Sequence, residues 1–204
     1  MLYNEKKINI ALIFAGGVGK RMNSRGKPKQ FLELNGKPII IHTIEKFEKH
    51  SMIQDIYVVC HKDWLEYLRE LLKEFNIHKV RLIVEGGRTG QESIRKGLIA
   101  ASKVYEDTSK VVVLVHDGVR PMIDEKTITD NIKCVWENGT SVTVSPVTET
   151  IIEEKNSIIE SIREREACKV ARAPQGFFLL DLIRAHESID VTQHENIVDS
   201  ASLM

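Results

Sequence analysis

The sequence is poor in several things that would each have pointed to a different kind of protein. It has three cysteines in 204 residues, Cys60, Cys134 and Cys168. They are odd in number and far apart, with no CxxC and no Cys/His pair at zinc spacing, which argues against a disulfide scaffold or a zinc module. Free thiols buried in a reducing cytoplasm are the expectation. Long apolar runs are also missing: the longest, Ile10–Ala15, is far below the ~20 residues that cross a bilayer. Lys6-Lys7 before it looks like the start of a signal peptide, but Gly16-Gly17, Lys20 and Arg21 cut the apolar stretch short. Repeats and low-complexity tracts are absent. Neither sign of charge is in excess, with 29 basic against 29 acidic residues, whereas a general nucleic-acid binder carries a basic surplus. No nucleic-acid partner and no membrane association are expected.

The neutral total hides a sorting of charge. Lys6, Lys7, Lys20, Arg21, Arg25, Lys27 and Lys29 fall between Lys6 and Leu32 with no acidic residue among them. The remainder holds 22 basic against 29 acidic residues. A local basic cluster in a neutral chain points to a discrete anion site.

Short Val/Ile-rich runs alternate with helical patterns. Ile8–Phe14, Gln54–Cys60, Val80–Val84, Lys110–Val115 and Ser141–Ser145 read as strands. Lys62–Phe75 repeats Trp64, Leu65, Leu68, Leu71, Leu72 and Phe75 at helical spacing. Pro38–His50 carries Ile40, Ile44 and Phe47 on one stripe, with Pro38 suited to the first turn. Thr89 and Glu92 form a capping box for the next helix, and Asp124 caps another. Phe177–His186 reads as a last helix. The expected class is α/β: a Rossmann-like, mostly parallel sheet with helices on both faces, in a single domain spanning 1–204. Thr150–Glu154 and Ser157–Ile162 read as a hairpin turning at Lys155-Asn156. A lone hairpin is marginal in water, so this one either embraces a second subunit or packs on its own domain.

In parallel sheets, ligands bind at the carboxyl ends of the strands. The first such end is Phe14-Ala15-Gly16-Gly17-Val18-Gly19-Lys20-Arg21-Met22. Met22 stands where a dinucleotide fingerprint needs its third glycine. Phe14 and Arg21 stand where a Walker A loop needs Gly and Ser/Thr. What remains is a Gly-Gly-x-Gly nest of backbone N–H groups followed by cations, which reads as a phosphate cradle.

Ala15–Met22 together with Pro28-Lys29-Gln30-Phe31-Leu32 resembles the signature of the polyol-phosphate cytidylyltransferases, the enzymes acting on 2-C-methyl-D-erythritol 4-phosphate or ribitol 5-phosphate. Gly86-Gly87 with Ser93, His116–Pro121, Pro146–Thr150 and Ala173–Phe177 match in the same order, so the resemblance covers Asn9 to Met204. It implies a sheet of the nucleotide-diphospho-sugar transferase type, and transfer of CMP from CTP to a small polyol phosphate with Mg²⁺, releasing pyrophosphate and forming a CDP-alcohol. The nucleophile would be a phosphate oxygen, already anionic near neutrality because its second pKa is about 6. No general base is needed, in keeping with the lack of an evident His or Cys nucleophile.

By the same resemblance, Arg21 and Lys29 are catalytic, clamping the triphosphate and transition state. Ala15, Gly16, Gly17, Gly19, Gly86, Gly87, Ser93, Asp117 and Gly118 bind CTP, and Asp117 also holds the metal. Arg120, Thr150 and Arg165 bind the acceptor, the last two reaching it in a partner's site from a β-arm at 147–172, which implies a homodimer. His116 packs or orients. Gly90 stands where the family usually has Arg, and Ala173 where it has Thr. The family's last strand and helix, bearing a metal-binding Asp and a catalytic Lys, would fall beyond Met204. The implied alternatives are a longer natural chain or a catalytically weakened, silent nucleotide-binding protein. Ala15-Gly16-Gly17 and His42–Phe47 lean toward a ribitol enzyme and Pro146–Thr150 toward a methylerythritol enzyme, so the acceptor stays open.

Overall fold

The computed structural model describes residues 7–16, 27–188 and 199–204. Its strands are β1 (Ile8–Ala15), β2 (Glu33–Leu34), β3 (Lys37–Pro38), β4 (Asp55–Cys60), β5 (Val80–Glu85), β6 (Val111–Asp117), β7 (Thr140–Pro146), β8 (Ile152–Lys155), β9 (Ile158–Ile162) and β10 (Lys169–Phe178). The helices are α1 (Ile39–Glu48), α2 (Leu65–Glu74), α3 (Gly90–Ser102), α4 (Glu125–Asn138) and α5 (Leu179–Glu187).

The main sheet runs β5-β4-β1-β6-β10-β7. Its first four strands are parallel, and β10 is antiparallel to both β6 and β7. Because side chains alternate along a strand, β1 feeds two cores. Ala11 and Ile13 face α1, α2 and α4, packing with Ile40, Phe47, Leu68 and Ile132. Ile10 and Leu12 face α3 and α5, packing with Ile94, Leu98 and Leu182. Burial of each such Leu or Ile contributes roughly 1.5–3 kcal/mol. With both faces covered, β1 and β6 have almost no polar positions, as a doubly covered parallel sheet requires. The α/β class and the two-faced sheet agree with the sequence reading.

The registers decide where a ligand sits. Ala15 lies opposite Cys60, Phe14 opposite Asp117, and Cys60 opposite Glu85. The carboxyl ends of β1, β4, β5 and β6 therefore share one edge. Chain order departs in opposite directions on the two sides of β1, the switch point at which such sheets bind ligands.

Several sequence expectations need correction. β10 was not anticipated as a strand: Pro174 argues against a central strand because it cannot donate to the ladder. The protein tolerates it where the pairing with β7 shifts register between Ala171 and Gln175. Strand β10 takes Phe177 and Phe178, so α5 begins only at Leu179. The hairpin turns at Asn156-Ser157, both at positive φ, one residue later than expected. The Thr89 hydroxyl does accept from Glu92 N at 3.1 Å, but the Glu92 carboxylate takes Arg88 N at 2.8 Å, one residue before the usual box partner. Of the three thiols only Cys60 is buried, and burial pushes its pKa up to about 12.

The hairpin is the least covered part of the fold. Ile152, Ile158, Ile159 and Ile162 are 47–69% exposed, so the arm does not bury them against its own domain.

Candidate functional site

The segment after the glycine loop is anchored from beneath. A 3-10 turn at Lys29–Phe31 puts Phe31 in the core, stacked on Trp64 at 4.9 Å and edge-on to Tyr67. Buried Gln30 donates through Nε2 to the Ala15 carbonyl at 2.6 Å. That bond ties the end of β1 to the turn carrying Lys29, so the lysine rides on a fixed base beside the strand end. Lys27 lies over the Tyr67 ring at 5.4 Å.

Across the sheet edge, the β5–α3 connection folds around Ser93. Its hydroxyl donates to Thr89 O at 2.8 Å and accepts from Gly87 N at 3.0 Å. A Cβ on Gly16 would sit 3.0 Å from Ser93 Oγ, and one on Gly86 3.2 Å from it. A side chain at either place would crowd Ser93, and glycine lets two strand ends close on one hydroxyl. Gly86 N donates to Cys60 O at 2.8 Å, and Lys96 Nζ donates to Gly86 O at 3.1 Å. The N-terminus of α3 opens beside this cluster, and its first N–H groups, those of Gly90 and Gln91, favour an anion.

The end of β6 supplies the third wall. Gly118 N donates to Phe14 O at 3.0 Å, and Thr43 Oγ1 donates to Gly118 O at 3.1 Å, pinning the turn. Asp117 Oδ2 accepts from Arg120 Nε at 2.5 Å. His116 is buried against Phe47, with Nε2 3.0 Å from Arg120 O. Burial lowers its pKa, partly offset by the Arg120 carbonyl, so it stays neutral and holds the turn. The orienting role expected of it fits this geometry.

Two clefts open on this edge. The larger, about 760 Å³, is lined by Ala15, Gly16, Lys29, Gly86, Gly87, Ser93 and Asp117 among others, with Lys62, Arg88 and Lys96 adding cations. The second, about 590 Å³, is lined by Asp117, Arg120, Gln91, Arg172, Gln175 and Asp199 among others. Phe14, Thr89, Gly90 and Asp117 line both, so the clefts adjoin. A ligand in one can meet a ligand in the other beside Asp117.

Of the residues expected at the site, seven line the larger cleft, Asp117 lines both and Arg120 the second. Gly118 supports the wall without lining either. Thr150 and Arg165 meet on the arm, Arg165 Nη2 donating to Thr150 Oγ1 at 3.4 Å, and line neither cleft. Gly17, Gly19 and Arg21 lie outside the described residues. Sequence reasoning missed Gln30 and Lys96, and in the second cleft Gln175 and Asp199. Gln175 Nε2 donates to Asp199 Oδ2 at 2.9 Å, and its Oε1 accepts from Ala201 N at 3.0 Å. Gln30 and Gln175 stood inside the quoted motifs, but only the fold shows that they fasten separate segments together.

A glycine-lined cleft at a sheet switch point, with a second charged cleft against it, is the geometry of an α/β enzyme that brings two ligands together. Residues 9–204 match the family model described as "IspD: 2-C-methyl-D-erythritol 4-phosphate cytidylyltransferase". The chain is 44% identical over 97% of its length to a ribitol-5-phosphate cytidylyltransferase of Vibrio parahaemolyticus, covering 82% of that protein. A Streptococcus agalactiae protein of the same name is 46% identical, with the same coverage of both chains. A 2-C-methyl-D-erythritol 4-phosphate cytidylyltransferase of Alkaliphilus metalliredigens is 36% identical over 88% of this chain and 73% of that one. Among solved structures, 4-diphosphocytidyl-2C-methyl-D-erythritol synthase of Anaerococcus prevotii superposes with a TM-score of 0.81 at 22% identity, covering 97% of this chain and 81% of that one. The chain belongs to this cytidylyltransferase family, and it is a nucleotidyltransferase enzyme. The comparisons give no support to the silent-protein alternative. No helix among the described residues is long and apolar enough to cross a membrane.

Proposed function

We propose that this protein transfers CMP from CTP to ribitol 5-phosphate, giving CDP-ribitol and pyrophosphate. The observation that carries the two-substrate reading is the pair of adjoining clefts that meet at Asp117. The acceptor rests on the relatives: those named for ribitol 5-phosphate are 44–46% identical, and the one named for methylerythritol phosphate 36%.

CTP occupies the larger cleft, its base toward Ser93, Gly86 and Gly87 and its phosphates toward Gly16 and Lys29. The acceptor phosphate approaches from the second cleft. One of its oxygens bonds to the α-phosphorus as the bond from that phosphorus to the pyrophosphate oxygen breaks. Lys29 and, by family resemblance, Arg21 neutralise charge growing on the phosphoryl oxygens. No side chain removes a proton, because the nucleophile is ionised already.

Mg²⁺ fits the donor set. Asp117 gives one carboxylate facing the cleft, with one oxygen engaged by Arg120. The ion commonly takes only one or two carboxylates, completing its shell with phosphates and water. Asp117 would hold it, and it would supply charge neutralisation at the triphosphate.

The exposed isoleucines of β8 and β9 are read as the contact of a homodimer in which Thr150 and Arg165 enter the partner's acceptor cleft. A cytoplasmic setting is in keeping with three free cysteines.

The test is pyrophosphate release with CTP, Mg²⁺ and each of ribitol 5-phosphate, methylerythritol 4-phosphate, glycerol 3-phosphate and arabitol 5-phosphate. Ribitol 5-phosphate should give the highest kcat/KM. Preference for methylerythritol 4-phosphate would reassign the acceptor, and no release with any of them would overturn the reading.

A further inference from the structure

We infer that Arg172 is a further acceptor-phosphate ligand, among the described residues the one cation of this chain in the second cleft not already paired with a carboxylate, an assignment that rests on the transfer reading above. The charged side chains lining that cleft, among the described residues, are Asp117, Arg120, Arg172 and Asp199. Arg120 is held by Asp117 through Nε at 2.5 Å, so the two largely cancel. Asp199 accepts from Gln175 and from Ser202 N. Burial raises its pKa, but those hydrogen bonds outweigh that and hold it below the ordinary value, so it is ionised. Counting only this chain's own lining side chains, the cleft without Arg172 would present two carboxylates against one guanidinium, a poor host for a phosphate dianion.

Arg172 forms no ion pair with any described residue. Its Nε donates to Ser145 Oγ on β7 at 3.1 Å, which orients the guanidinium and leaves its terminal nitrogens for a ligand. Its place on the strand serves the same end. Between Ala171 and Gln175 the β10–β7 register shifts, and such irregularities re-aim side chains beside active sites. The flanking Ala171 and Ala173 are too small to cover it and offer no hydroxyl of their own. A planar guanidinium presents paired N–H groups suited to two non-attacking phosphate oxygens. The cleft wall carries a second sign of a polar ligand. Gln91 is 6% exposed, and its Oε1 has no hydrogen-bond partner among the described residues.

The experiment is steady-state kinetics of wild type, Arg172→Ala and Arg172→Lys, varying ribitol 5-phosphate at saturating CTP and then CTP at saturating acceptor. Loss of a charge-assisted contact predicts an acceptor KM raised about tenfold or more in Arg172→Ala. The KM for CTP should stay within about twofold of wild type, and Arg172→Lys should recover part of the loss. CTP binding by calorimetry checks that the exposed substitution leaves the fold intact. An unchanged acceptor KM in an active Arg172→Ala enzyme overturns this assignment alone, as does an equal rise in both KM values. A wild-type protein that releases no pyrophosphate with any polyol phosphate overturns the transfer reading, and this assignment with it.

Discussion

The two clefts are built by different means. The larger is made of backbone: strand ends in register, glycines pressed on the Ser93 hydroxyl, and a lysine on a turn fastened by Gln30. The second is made of long side chains on a connecting turn and an irregular strand, with charges arranged around Asp117. Backbone leaves little room for variation, so a cleft of this kind suits one ligand, in the proposed reading the nucleotide. Side chains can be exchanged without moving the sheet, which lets one fold take different polyol phosphates. The same contrast recurs at larger scale between β6, whose first six residues are buried, and the hairpin strands β8 and β9, whose isoleucines lie open.

The largest effect that would break this comparison is at Lys29. Lys29→Ala should lower kcat by about 10²-fold or more, because its charge acts where the transition state gains charge; unchanged turnover would make the turn a scaffold only. Next comes Gly16→Val. The added Cβ would lie 3.0 Å from Ser93 Oγ and the branched methyls would crowd it further, and a misplacement of about 1 Å costs up to about 10²-fold. We expect the loss mainly in KM for CTP, with the acceptor KM little changed. A smaller effect is expected on assembly. Replacing Ile158 and Ile159 by Lys should convert the proposed dimer to monomer in sedimentation velocity, and a dimer that persists would remove the arm from the interface.

The smallest effect is on stability. Burial lowers the pKa of both His50 and His116, partly offset by Glu125 at the first and the Arg120 carbonyl at the second. The unfolded chain therefore binds more protons than the native one as pH falls below about 6.5. With respect to these groups, thermal midpoints should be flat well above that pH and fall as pH drops through it. A midpoint that rises on acidification would contradict the buried neutral state of both rings.

Much of the nucleotide half was legible in the sequence because its signals are local. Buried parallel strands read as apolar runs, and Gly86-Gly87 and Thr89 sit in a few consecutive residues. The second half was less legible because its logic is non-local. Pro174 hid β10, since the register shift that accommodates it depends on β7 thirty residues away. Arg172 and Asp199 carry no local motif, and only the fold sets them in one cleft with Arg120. The hairpin was visible as alternation, yet its turn fell one residue later because Asn156 and Ser157 both take positive φ.

The central claim is that two anionic substrates are held separately in clefts that meet at Asp117. The most direct measurement is a crossed comparison of Ser93→Ala and Arg120→Ala, determining both KM values for each variant by pyrophosphate release. The account predicts that Ser93→Ala raises KM for CTP and spares the acceptor, while Arg120→Ala raises KM for the acceptor and spares CTP. Two variants that raise the same KM, whichever it is, would contradict it.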